Sequence, residues 1–192
     1  MGNGIVEALK EEFEIEDEWV SFEIHPETPP EGVSMDERFP KSTREQMYAR
    51  LSASGERYGL TFTENSRLSN SHLALEASEF ARDAGNFHAF HTRIFKAYFS
   101  EGRDIGDRKV LSEIAKDSGV DVQALNTALD EGRYTGRLEE GQYEGQRYGV
   151  TGTPTFIIND KYKVVGAQPI EVMRKALQEI ADRESANEDN GD

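Results

Sequence analysis

The stretch "YGVTGTPTFIINDKYKVVGAQP", residues 148–169, decides how the rest of the chain is read. Inside it, Thr155-Phe156-Ile157-Ile158 is apolar after its first residue, the pattern of a strand buried on both faces. Asn159-Asp160 predicts a two-residue hairpin turn, and residues 162–165 predict the returning strand. Pro154 stands directly ahead of the first strand. Proline has no N–H to give a ladder and restricts the residue before it, so its place at the mouth of an apolar strand asks for a reason. Pro169 suits the first position of a closing helix, whose stripe is Ile170, Met173, Leu177 and Ile180. The polar residues 185–192 are expected to form a disordered tail.

Working outward, residues 34–149 read as helical. Helices are predicted over about 43–58, 66–84 (capped by Asn65 or Ser66), 87–99, 107–118 (capped by Asp107), 121–131 and 134–148. Ahead of this block, Ile5, Leu9 and Phe13 predict an opening helix over 4–13. In "WVSFEI", Val20, Phe22 and Ile24 alternate with Ser21 and Glu23, which predicts a half-buried strand over 20–24. Residues 25–32, with three prolines and a glycine, break regular structure.

Bulk properties narrow the function. The chain has 192 residues, 37 acidic against 22 basic side chains, and a net charge of −15. Nucleic-acid phosphates and anionic membrane surfaces repel such a chain. The N-terminus lacks a basic region followed by an apolar core, and no apolar run is long enough to span a bilayer, so a cytoplasmic location is expected. There is no cysteine, which leaves this chain without a thiolate ligand, nucleophile or disulfide.

Other chemistry-bearing residues have plainer readings. His88 and His91 lie one helical turn apart but lack an evident third ligand, so no metal is expected. His25 reads as a loop residue and His72 as a helix-surface or packing residue. Asp104 and Asp107 in "EGRDIGD" read as loop and cap residues rather than an acid–base pair. Phe87, Phe90, Phe95, Tyr98 and Phe99 read as core of the helical block more than as a groove. No phosphate-loop pattern occurs.

The segments "SFEIHPETPPEG", "NSRLSNSHLALEA", "FKAYFSEGRDIGD", "GVTGTPTFIIND" and "GAQP", in this order, resemble the DsbA-like branch of the thioredoxin superfamily, most closely its FrnE-like group. The resemblance covers nearly the whole chain. It implies an α/β thioredoxin-like fold, discontinuous over 1–33 and 150–184, interrupted by a helical insertion over 34–149. It also implies that Pro154 follows a cis bond, and that its loop, with Gly152, Thr153 and Gln168, offers backbone groups to a thiol or peptide substrate. Family members open with a strand leading into Cys-x-x-Cys, which starts the first helix and whose thiol pKa the helix N-terminus lowers. "MGNGIVEALKEEF" resembles the part just after that motif, so the first strand and the catalytic cysteines are missing. The intact later segments favour a start assigned at a methionine inside the gene over loss of the redox centre.

Three functions follow from the resemblance: a thiol–disulfide oxidoreductase family protein, redox-inactive as it stands; a relative of the glutathione-dependent 2-hydroxychromene-2-carboxylate isomerases and kappa-class transferases; or a non-enzymatic peptide-binding module. No cofactor is expected under the first, and glutathione under the second. The missing strand would lie between 20–24 and 155–158. A strand-paired or swapped homodimer is therefore expected, or else a sheet that closes up with 20–24 displaced.

Overall fold

The computed structural model describes residues 2–188. Its elements run α1 (Gly2–Lys10), β1 (Val33–Ser34), α2 (Met35–Arg38), α3 (Lys41–Gly55) with a 3₁₀ turn Glu56–Tyr58, and β2 (Arg67–Leu68). There follow α4 (His72–Asp83), α5 (Phe87–Phe95) continued by a π-helical turn Lys96–Ser100, α6 (Arg108–Asp117), α7 (Val122–Asp130) and α8 (Thr135–Arg147). The chain ends with β3 (Thr155–Ile158), β4 (Tyr162–Val165) and α9 (Ile170–Glu188). Two compact units result. One comprises Met1–Trp19 with Val150–Asp192, the other Val20–Gly149. Residues 20–33 fall in the second unit.

In the discontinuous unit, β3 and β4 form an antiparallel hairpin with Thr155 opposite Val165 and Ile158 opposite Tyr162. Asn159 and Asp160 both take left-handed backbone, φ 50° and 53°, and the Lys161 N–H donates to the Ile158 carbonyl at 3.1 Å. Asn and Asp tolerate that region better than other residues with a Cβ, which is why they mark the turn. All four β3 residues are half-buried, not fully buried as expected, because only one ladder flanks the strand among the described residues. Ile5 and Leu9 of α1 and Met173 and Ile180 of α9 supply the buried side chains. A bidentate pair ties the turn after α1 to α9: Arg174 Nε and Nη2 donate to the Glu12 carboxylate at 2.6 and 2.7 Å. Those hydrogen bonds hold the Glu12 carboxyl below the usual range. Helix α9 continues to Glu188, four residues into the expected tail; residues 189–192 lie outside the described residues.

The Val20–Gly149 unit has its own core, built from Ala77, Ala81, Phe90, Ile94, Leu111, Ile114 and Leu125 of α4 to α7. The expected Asp107 cap forms, accepting from the Lys109 N–H at 2.8 Å, and Asp121 caps the next helix by accepting from the Ala124 N–H at 2.9 Å. The helix expected from residue 66 starts only at His72. Asn65 does not cap it; its amide donates to the Tyr98 carbonyl, while Arg67–Leu68 pair with Val33–Ser34.

The strand expected over 20–24 does not form. No ladder partner reaches it among the described residues, and a strand without one is only extended chain. It lies across α8 instead. Gly141 and Gly145 leave room for the Ser21 carbonyl and the Phe22 ring, which a Cβ at either glycine would strike. Gln142 replaces a neighbouring strand: its Oε1 accepts from the Glu23 N–H at 3.1 Å and its Nε2 donates to the Glu23 carbonyl at 2.9 Å. Ser21 Oγ donates to Glu79 at 2.6 Å. Val20 and Ile24, expected to face a sheet, are 49% and 43% exposed.

Candidate functional site

The loop ahead of β3 is held from both ends. Thr155 Oγ1 donates to the Gly152 carbonyl at 2.7 Å, and the Thr153–Pro154 peptide is cis. The Pro154 carbonyl accepts from the Gly166 N–H at 2.8 Å, extending the hairpin one pair beyond β4; Gly166 has φ 82°, open to glycine at little cost. Thr153 is exposed and Pro154 half-buried. Gly152 faces open space, with nothing near the position of a Cβ. Gln168 is exposed, but its side-chain amide donates back to the Val165 carbonyl at 2.8 Å, so it braces the hairpin exit.

One participant went unforeseen from sequence. A Cβ on Gly2, the first residue of α1, would lie 3.1 Å from Pro154 Cβ and 3.9 Å from the Phe156 ring. The helix therefore points its N-terminal end at the proline loop. That end carries unpaired N–H groups and the positive pole of the helix dipole, and no acidic residue stands in the first turn to offset it. The signal in the sequence was a glycine at the first turn, where close backbone approach needs one. The arrangement provides an exposed bend at Thr153 beside a helix end that favours a negative group, a combination suited to a thiolate or a peptide.

The remaining candidates serve structure. Asp104 accepts from the Gly106 N–H at 3.0 Å and orders its loop. His25 meets Arg38 and Glu27 in the loop after residue 24. His72 Nδ1 lies 3.3 Å from Glu23. Burial pushes the Glu79 carboxyl up, but hydrogen bonds from Ser21, Arg82 and Arg137 outweigh it and leave the group below the usual range. Among the described residues no cluster of three or more His, Cys, Asp or Glu could hold a metal ion, and no helix is long and apolar enough to cross a membrane.

The DsbA-like thioredoxin domain matches residues 2–178, which takes in α1, the helical unit, the proline loop, the hairpin and half of α9. The chain belongs to the DsbA-like thioredoxin domain family. YwbO, an uncharacterized protein of Bacillus subtilis, is 28% identical over 176 residues, 90% of this DsbA-like chain and 86% of YwbO. The thiol:disulfide interchange protein DsbA of Pseudomonas syringae is 26% identical over 76 residues, 40% of this chain and 36% of that protein. The crystal structure of a probable DsbA oxidoreductase from Streptomyces coelicolor superposes with a TM-score of 0.84 at 22% identity, covering 93% of this chain and 82% of the other. The α/β DsbA-like fold with its helical insertion is therefore the fold of this chain.

Proposed function

We propose that this chain is a FrnE-like member of the thiol–disulfide oxidoreductase family. In this reading the Pro154 loop binds an extended thiol- or peptide-bearing substrate through the Thr153 backbone, and the chain itself is redox-inactive. The observation that carries it is the approach of the α1 N-terminus to the Pro154 loop, in a chain of the DsbA-like family that has no cysteine. Disulfide exchange requires a thiolate to attack one sulfur of the substrate, forming a mixed disulfide and expelling the other sulfur as thiolate. No side chain here can make that attack. A cytoplasmic location is part of the reading.

The test compares two proteins in insulin reduction and in dithiol-peptide oxidation. The chain as it stands is expected to show no turnover. The same chain extended ahead of Gly2 by a β-strand ending in Cys-x-x-Cys is expected to show it, because those thiols would enter the positive end of α1 opposite Pro154. Turnover by the cysteine-free chain, or none by an extended chain that folds, would overturn the reading.

A further inference from the structure

Residues 87–100, "FHAFHTRIFKAYFS", hold no acidic residue in a chain that has 37. Along them runs an unbroken ladder of rings: Phe87 to His91 at 5.1 Å between centroids, His91 to Phe95 at 4.5 Å, Phe95 to Phe99 at 5.6 Å, and Phe99 to Phe62 at 5.9 Å. In an α-helix each four-residue step over-rotates by about 40°, so such a row would drift around the axis. The wider π turn at Lys96–Ser100 opposes that drift and keeps Phe99 in line with Phe95. Inserted turns of this kind recur at functional sites.

The ladder has one buried and one wet border. On the first side Phe90 and Ile94 are in the core. On the second stand His88, Thr92 and Lys96, all exposed, and Lys96 is in no ion pair among the described residues. At the upper end the Arg82 guanidinium lies 4.0 Å from the Phe87 ring centre. Phe95, in the middle, is 45% exposed, and Leu60, next but one to Phe62 in the chain, is 38% exposed. The sequence reading that placed these aromatics in the core thus holds for Phe90 and fails for Phe95.

We propose that this ladder is an interaction surface for a polypeptide segment that carries apolar side chains with carboxylates beside them. The rings supply the apolar track and Lys96 a cation along it, on a surface that repels acids elsewhere; Arg82, at the Phe87 end, is already paired with Glu79 at 3.0 Å. The local and global charges make opposite forecasts. The net charge of −15 would favour a basic peptide, whereas the ladder's border favours an acidic one. At 0.15 M salt the screening length is about 8 Å, so the border decides for a bound segment.

The experiment is calorimetric titration, in 0.15 M salt, of the whole chain with three synthetic twelve-residue peptides. One alternates leucine and phenylalanine with aspartate, its twin has lysine for aspartate, and the third has serine for the apolar residues. The acidic apolar peptide is expected to bind at least about threefold more tightly than its lysine twin, and the serine peptide not at all. Phe95→Ser is expected to weaken binding about tenfold or more, and Lys96→Glu to remove the preference for aspartate; unchanged circular dichroism keeps both variants comparable. No binding by the acidic peptide, equal or tighter binding by the lysine twin, or an unchanged affinity in Phe95→Ser would each overturn the proposal. Both substitutions lie outside residues 152–168 in the chain, so their outcome is separate from the redox reading.

Discussion

His91 is held between the Phe87 and Phe95 rings, and burial, with His88 and Arg82 adding to it, depresses its pKa from 6.5 to about 4. The folded value lies below the unfolded one, so the unfolded chain takes up a proton that the folded chain refuses. The stability tied to neutral His91 is fully present above pH 6.5 and is lost as the pH falls toward 4, by about 3 kcal/mol in all. His91→Phe keeps the ring stack and removes the titration. Urea unfolding at pH 7, 5 and 4 is expected to show a smaller acid loss in the variant than in the parent. Parallel losses would show that the acid sensitivity arises elsewhere, for instance at Glu79 or Glu12, whose carboxyls also sit below their usual range.

Between elements, the contact that most depends on a missing side chain is the crossing of residues 20–24 over α8. Gly141 and Gly145 are one helical turn apart, so both open the same face, and the Ser21 carbonyl and Phe22 ring fill it. Gly→Ala at an exposed helix position normally stabilises by about 1 kcal/mol through backbone entropy. Here the expected sign is reversed. A methyl at Gly141 meets the backbone of Ser21, which cannot move without breaking the Ser21–Glu79 and Gln142–Glu23 hydrogen bonds. Gly141→Ala is expected to destabilise by about 1–3 kcal/mol. Gly136, on the same helix with open space at its Cβ position, is the control, and Gly136→Ala is expected to stabilise. A stabilised Gly141→Ala would mean that the segment does not rest on that face.

For the molecule in solution, the hairpin poses the main question. Antiparallel alternation places the Pro154 C=O and the N–H and C=O groups of Phe156 and Ile158 toward β4, as the Gly166-to-Pro154 bond shows, and turns those of Thr155 and Ile157 to the other edge. That edge is in no strand ladder among the described residues. Unpaired edges recruit strands, and a second copy offers the same four-residue sequence. A strand-paired dimer is expected from size-exclusion chromatography with light scattering. Ile157→Pro, which removes a donor from the outer edge alone, is expected to run as a monomer with the hairpin retained. A monomeric parent chain at high micromolar concentration would exclude this mode of association.

Much of the fold was legible because its causes lie close together in the chain. The Asn159-Asp160 turn, the Asp107 cap and the stripe of α9 each depend on residues within a few positions of one another, and each formed where the sequence placed it. The site was half legible: Thr153-Pro154 announced itself through the odd placing of a proline, whereas Gly2 became part of it only when α1 was brought against the loop. The alternation in "WVSFEI" was real as well, but period-two patterning says only that a segment is extended with two unlike faces. Whether it becomes a strand depends on a partner edge far away in sequence, and here the side chain of Gln142 and the glycines of α8 took the place of one. The same holds for the aromatics of residues 87–99, whose spacing marked one helix but left open which ring would face the core and which the solvent. Local geometry is written in neighbouring residues; pairing and exposure belong to contacts between distant ones, and only the tertiary structure assigns them.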